Sequence, residues 1–129
     1  MNAEQLLPLV QQAQSDGKKY LYLAQHFVPV DEALNWKASC ERKLDEACQL
    51  FEEHRDQPCL RGAAGWLRIK STIRSAAHDY CIYLRDLCIL TQPDDWPPLP
   101  RELELHPEFR DPWARGFAYA EAQLYSDPD

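Results

Sequence analysis

The sequence predicts an all-α fold: a small helical bundle with two long antiparallel helices, shorter flanking helices and a Pro-rich extended segment. Three observations predict it. The stretch 66–91 contains no Pro and no Gly, and Trp66, Ile69, Ile73, Ala76, Ala77, Tyr80, Leu84, Leu87 and Cys88 recur in steps of three and four. That is one apolar stripe on a helix of about seven turns. The stretch from Asp31 to about Arg55 repeats the pattern with Ala33, Trp36, Cys40, Leu44, Ala47, Cys48 and Phe51. Only a short break, Gln57 to Gly62, separates the two, which makes them antiparallel neighbours. On that geometry Phe51 lies near Trp66, Cys40 is level with Tyr80 and Cys81, and Ala33 lies near Leu87 and Cys88.

Taken in order, Asn2 is placed to cap a first helix, with Gln5 in the reciprocal position of a capping box. Pro8 conflicts with a helix running straight through it, so the helix either starts near Pro8 or kinks there. Gly17 is its stop. Tyr20, Leu23, Ala24 and Phe27 then form a short helical face, although Lys19 to Leu23 can also be read as a strand. Pro29 ends this element, with His26 suited to the negative end of a helix. Asp31 is the expected N-cap of the first long helix, and Glu32 adds charge to its first turn. The outer face of that helix carries Glu41, Arg42, Asp45, Glu46, Gln49, Glu52 and Glu53, with Arg42 and Glu46 spaced for an ion pair. Beyond Thr91, the four prolines from Pro93 to Pro100 predict an extended strap, covering about 92–111 and anchored by Trp96 and Leu99, with Leu103 and Leu105 continuing the contact. Asp111-Pro112 predicts the start of a last helix, about 112–126, packing through Trp113, Phe117, Ala120 and Leu124.

The bulk properties narrow the function. A chain of 129 residues suits a single helical domain, 1–129. Its formal charge is −7, from 21 acids and 14 bases. A field of that sign repels phosphate backbones, so direct nucleic-acid binding is not expected; the charge suits solubility first, or else a basic protein partner. No apolar run approaches the ~20 residues of a membrane span. The first ten residues carry no cationic segment, and Pro8 interrupts their apolar cluster. The expectation is a cytoplasmic protein whose five cysteines (Cys40, Cys48, Cys59, Cys81, Cys88) are reduced thiols, four of them small core residues on the inner faces of the long helices, with Cys40 and Cys81 placed for a disulfide only under oxidation. No Cys-x-x-Cys pair or Glu-x-x-His pattern marks a metal centre, and no Gly-rich phosphate loop or Gly-x-Ser-x-Gly elbow is present. No cofactor is expected. His54 ends the acidic helix as a capping cation. The Pro97-Pro98-Leu99-Pro100 run resembles a ligand of Pro-binding modules, but Trp96 beside it favours packing within the chain.

Two features of the central helix point toward function. Ile82 and Ile89 lie seven apart, away from the main stripe, flanked by Arg74, His78 and Arg85. Apolar centres with an Arg rim are the composition of a binding hot spot, and these five are the predicted partner-binding residues. The alternative is that the N-terminal helices or the strap cover this line within the monomer. Second, Arg74-Ser75-Ala76-Ala77-His78 resembles the Arg-x(4–6)-His pattern of HEPN ribonucleases, also helical, but with three intervening residues. The resemblance spans seven residues, Arg74 to Tyr80, and implies RNA cleavage at a dimer cleft centred on Arg74 and His78. The missing catalytic motifs favour the other reading: a non-enzymatic binding protein that regulates or inhibits another protein, of immunity, anti-activator or anti-defence type. A homodimeric structural module is the third reading.

Overall fold

The structure, a computed structural model, describes residues 2–23, 26–55, 64–89 and 96–125, with backbone alone at 64, 120, 121 and 123–125. The break expected at 57–62, Cys59, residues 92–95 and the terminal 127–129 lie outside the described residues. The order is α1 (Ala3–Ser15), β1 (Tyr20–Leu23), β2 (His26–Pro29), α2 (Val30–His54), α3 (Ala64–Asp86), α4 (Arg101–Glu104) and α5 (Pro107–Tyr125). The chain is all-α, with two long helices packed on each other and one small hairpin. No described helix is long and apolar enough to cross a membrane.

Helix α1 opens with the expected reciprocal capping box between Asn2 and Gln5. It runs through Pro8 rather than starting there. Pro8 lies on the exposed side, opposite the buried Leu6, Val10 and Ala13, so the backbone carbonyl it leaves unbonded can be hydrated. Gly17 stops the helix at φ +73°, and the Lys18 N–H donates back to the Ala13 carbonyl. That is a Schellman ending.

Residues 20–23 and 26–29 pair as antiparallel strands of a hairpin, not as a helical face; Ala24 lies outside the described residues. The alternation of Tyr20, Leu21, Tyr22 and Leu23 has the period of a strand, and Pro29 suits an edge position. His26 therefore sits in β2 rather than at a helix end. Helix α2 starts at Val30 with Pro29 at the capping position, so Asp31 lies in the first turn and is not the cap. The reason is local. The Val30 N–H donates to the Lys19 carbonyl across the hairpin, so the strand ladder satisfies the donor a side-chain cap would have served. Glu46 faces Arg68 of α3 at 3.7 Å instead of pairing with Arg42.

Helix α3 is the centre of the molecule, packed most extensively against α2 and then α5. The antiparallel α2–α3 register follows from Phe51 beside Trp66 and from Ser39 and Lys43 beside Asp79. The main stripe is buried from Trp66 to Leu87 except for Tyr80, which is half-buried and touches both core clusters. The helix ends at Asp86, short of Thr91, because Cys88 takes φ +61° and the Ile89 N–H reaches the Leu84 carbonyl. This is a second Schellman ending, with Cys where Gly17 stands in the first. Cys88 is consequently exposed rather than part of the stripe.

Helix α5 runs broadly in the same sense as α3. Phe109 stacks on Trp66 near the start of both, and Cys81 meets the Phe117 carbonyl further along. A neighbour of that sense needs a return connection about as long as the helix, and the Pro-rich segment supplies it. Trp96 stacks on Phe117 at 4.4 Å, Leu99 and Leu103 are buried, and Trp113 Nε1 donates to the Pro97 carbonyl at 3.0 Å. Leu105 is 72% exposed and takes no part. Helix α5 starts at Pro107, a turn before Asp111, which places Pro112 inside it. The extra turn buries Phe109 completely against Phe51 and Trp66.

Candidate interaction surfaces

Three places concentrate chemistry: a polar cluster inside the α2–α3 seam, a groove between α3 and α5, and the outer face of the hairpin. In the seam Asp79 is 2% exposed. Its Oδ2 accepts from Ser39 Oγ at 2.5 Å and pairs with Lys43 Nζ at 2.8 Å. Lys43 also donates to Ser75 Oγ at 2.8 Å. A Ser–Lys contact invites a nucleophile–base reading, but Lys43 Nζ is already paired with the Asp79 carboxylate. The cluster is a polar latch that fixes helix register. Its sequence signal was Asp79 lying three residues after Ala76 and four before Tyr83, on the buried line of α3; Tyr83 itself is 1% exposed.

The groove, about 310 Å³, is lined by Ser71, Arg74, Ser75, His78, Gly116 and Tyr119. It forms where α5 approaches α3 most closely. A Cβ on Gly116 would lie 2.8 Å from that of Ala77 and 3.0 Å from the Arg74 carbonyl. Arg74 and His78 therefore share one surface, as their spacing implies, with Tyr119 added from α5. The other predicted partner-binding residues are not with them. Ile82 is 6% exposed, covered within the monomer. Ile89 is half-buried against the core shared by α1, the hairpin and α2. Arg85 lies near the end of α3, 3.9 Å from Asp86. The five do not make one continuous surface.

The hairpin was not among the predicted sites. Its register pairs Tyr20 with Pro29, Leu21 with Val28, Tyr22 with Phe27 and Leu23 with His26. Val28 is fully buried and Leu21 and Leu23 pack on the core. The period of two then turns Tyr20, Tyr22 and Phe27 to solvent, at 49, 68 and 61% exposure. The Tyr22 and Phe27 rings meet edge-on at 4.6 Å. At the foot of this face, Lys19, Tyr20, Pro29, Asp31 and Glu32 line a recess of about 200 Å³. The signal was present in the sequence: on a strand reading, aromatic residues occupy the side opposite the leucines.

The thiols of Cys40, Cys48 and Cys88 are all shifted away from the thiolate. Burial pushes the Cys40 thiol up to about 12, with Asp79 adding to the shift, and burial with nearby Glu102 pushes Cys48 up to about 11. Cys88 is raised too, by desolvation and then Asp86. Thiols so shifted stay protonated at neutral pH. Cys40 and Cys81 are both free. Among the described residues no three His, Cys, Asp or Glu side chains converge as a metal set would require. No family model, characterised protein or solved structure matches the chain.

Proposed function

We propose that the protein is a non-enzymatic binding module that regulates or inhibits a partner protein by occupying part of its surface. The observation that carries this reading is the outward aromatic face of the hairpin. Tyr and Phe dominate the centres of protein interfaces because they bury large area at small entropic cost. Three of them clustered and solvent-facing make an unusual surface for a chain whose other aromatics are largely spent on the core. The charge of −7 favours a basic partner over a nucleic acid. The test is affinity capture from the source cells with the unaltered chain and with Tyr20→Ser/Phe27→Ser. The expected result is a partner retained by the former and lost by the latter, with both unfolding at the same temperature. Equal capture by both would overturn the reading.

A second reading, ribonuclease activity of the HEPN type, has one observation in its favour: Arg74 and His78 line the same groove. RNA cleavage by the pure protein, abolished in a folded His78→Ala variant, would establish it over the binding role.

A further inference from the structure

The hairpin exposes more than rings: among the described residues no strand pairs with the outer edge of β1. The Val30 N–H to Lys19 carbonyl bond identifies 19/30 as a hydrogen-bonded pair. Counting by two along the antiparallel register, 21/28 and 23/26 are hydrogen-bonded pairs, whereas 20/29 and 22/27 are not. In the second kind of pair, N–H and C=O groups point away from the partner strand. Tyr20 and Tyr22 thus direct theirs outward from β1, and no backbone bond from another described element reaches them. The opposite edge differs: at Pro29 the outward position has no N–H to offer, the usual way of blunting an edge strand. An edge left open beside an exposed aromatic face is a template for an added strand.

We propose that β1 binds an extended peptide segment of a partner by strand addition. This rests on the binding role proposed above and names the partner's form. Area selects the occupant. The three rings expose roughly 350 Å² on the ordinary size of aromatic side chains, well short of the ~800 Å² per partner of a stable folded interface. A peptide needs less area because the main-chain bonds of Tyr20 and Tyr22 supply affinity. The peptide runs antiparallel to β1, the sense with the more stable ladder. Its alternate residues are apolar and lie beside Tyr20 and Tyr22. A Lys or Arg near its C-terminal end reaches across Tyr20 to Asp31 and Glu32, which outnumber the one cation of the foot recess, Lys19, in accord with the acidic charge of the whole chain.

The experiment uses the full chain and a displayed library of short random peptides. Peptides selected on the chain should carry alternating apolar residues followed by a basic one, and should slow amide exchange at Tyr20 and Tyr22. Tyr22→Pro removes the outward N–H without touching the β1–β2 ladder, and Tyr22→Ala removes the ring alone. Tyr22→Pro should weaken the selected peptides about tenfold more than Tyr22→Ala, the worth of one lost hydrogen bond. Exchange protection in the unaltered chain keeps the proposal testable should Tyr22→Pro misfold. Equal weakening by the two variants, or unchanged exchange at Tyr20 and Tyr22, would overturn strand addition while leaving a side-chain docking face intact. A library yielding no hairpin-dependent peptide would overturn it as well. A dimer in solution that Tyr22→Pro dissolves would make the occupant a second copy and also refute the peptide.

Discussion

The two ends of the bundle use their aromatic residues in opposite ways. Where α3 begins, Phe51, Trp66, His106 and Phe109 pack ring to ring, and further along α5 Trp96, Trp113 and Phe117 form a second such group. At the other end the core is mostly aliphatic, built from Leu6, Val10, Val28, Val30, Leu84 and Leu87 around Tyr83. There the hairpin holds Tyr20, Tyr22 and Phe27 on the outside. One end invests its rings in cohesion, and the other leaves them available. A chain selected for stability alone has little reason to expose three rings on one small face, which is why the hairpin, not the α3–α5 groove, carries the functional reading.

The contrast is most directly broken by truncating one ring from each end. Phe109 is fully buried and touches Phe51, Trp66 and His106. Phe109→Ala should cost about 4 kcal/mol, as the ring's transfer energy is lost and a cavity remains. Phe27→Ala removes a ring of the same size and should cost about 0.5–1 kcal/mol, mainly its contact with Tyr22. Chemical denaturation of both variants measures the difference. Similar costs would mean that the hairpin face is structural.

Between the two ends lies the Asp79 latch, and its removal should rank next. Lys43→Met leaves a carboxylate 2% exposed without its counter-ion, at a cost of about 3 kcal/mol. Adding Asp79→Leu should recover most of that, because the loss comes from the unpaired charge and not from the missing pair. Equilibrium unfolding of the single and double variants reads this directly. A double variant no more stable than Lys43→Met would show that the latch contributes net stability.

The same division decides how much was legible in the sequence. The long helices and the strap anchors Trp96 and Leu99 were readable because each apolar residue repeats a helical period or stands alone among prolines. The hairpin was ambiguous because four residues of alternating Tyr and Leu fit a helix face or a strand, and only the packing of β1 against α1 and of β2 against α2, with Val28 and Leu21 in the shared core, decides. The end of α3 was missed because Cys88 occupies a left-handed position that normally announces itself with Gly. The start of α5 was misplaced because His106-Pro107 and Asp111-Pro112 both offer Pro at a first turn, and burial of Phe109 favours the earlier one. Whether Ile82 and Ile89 face solvent was open in the sequence because a helical period gives an angle around a helix, not which neighbours cover it; Ile82 is covered and Ile89 half-covered.

The two Schellman endings permit a smaller test. Gly17 adopts φ +73° without Cβ strain, while Cys88 adopts φ +61° with it. Cys88→Gly should therefore stabilise the fold by about 1 kcal/mol. Gly17→Ala should destabilise it by a similar amount. Thermal unfolding of both would check the pair, and a destabilised Cys88→Gly would mean that the cysteine side chain holds the cap.

The smallest effect concerns Asp86, the last residue of α3. Its carboxylate faces the negative end of the helix, Oδ2 is buried without a hydrogen-bond partner, and the nearest cation is Arg85 at 3.9 Å. Desolvation raises its pKa above 3.8, Arg85 opposes the shift, and Glu32 of α2 adds to it. A raised folded value means that the native state holds the proton more tightly than the unfolded chain. The resulting stabilisation is fully present below 3.8 and is lost as pH rises through the folded value. Asp86→Asn cannot ionise, so it should gain on the unaltered protein as pH rises through that window. The advantage should then stay constant at neutral pH, at about 1 kcal/mol or less. Comparing the two proteins by denaturation across this range cancels the other carboxylates, which both share. Glu32→Gln should narrow the gap, because one of the charges opposing Asp86 is then gone. A gap unchanged between the acid end of the native range and neutral pH would show that Asp86 is solvated as well in the folded chain as in the unfolded one.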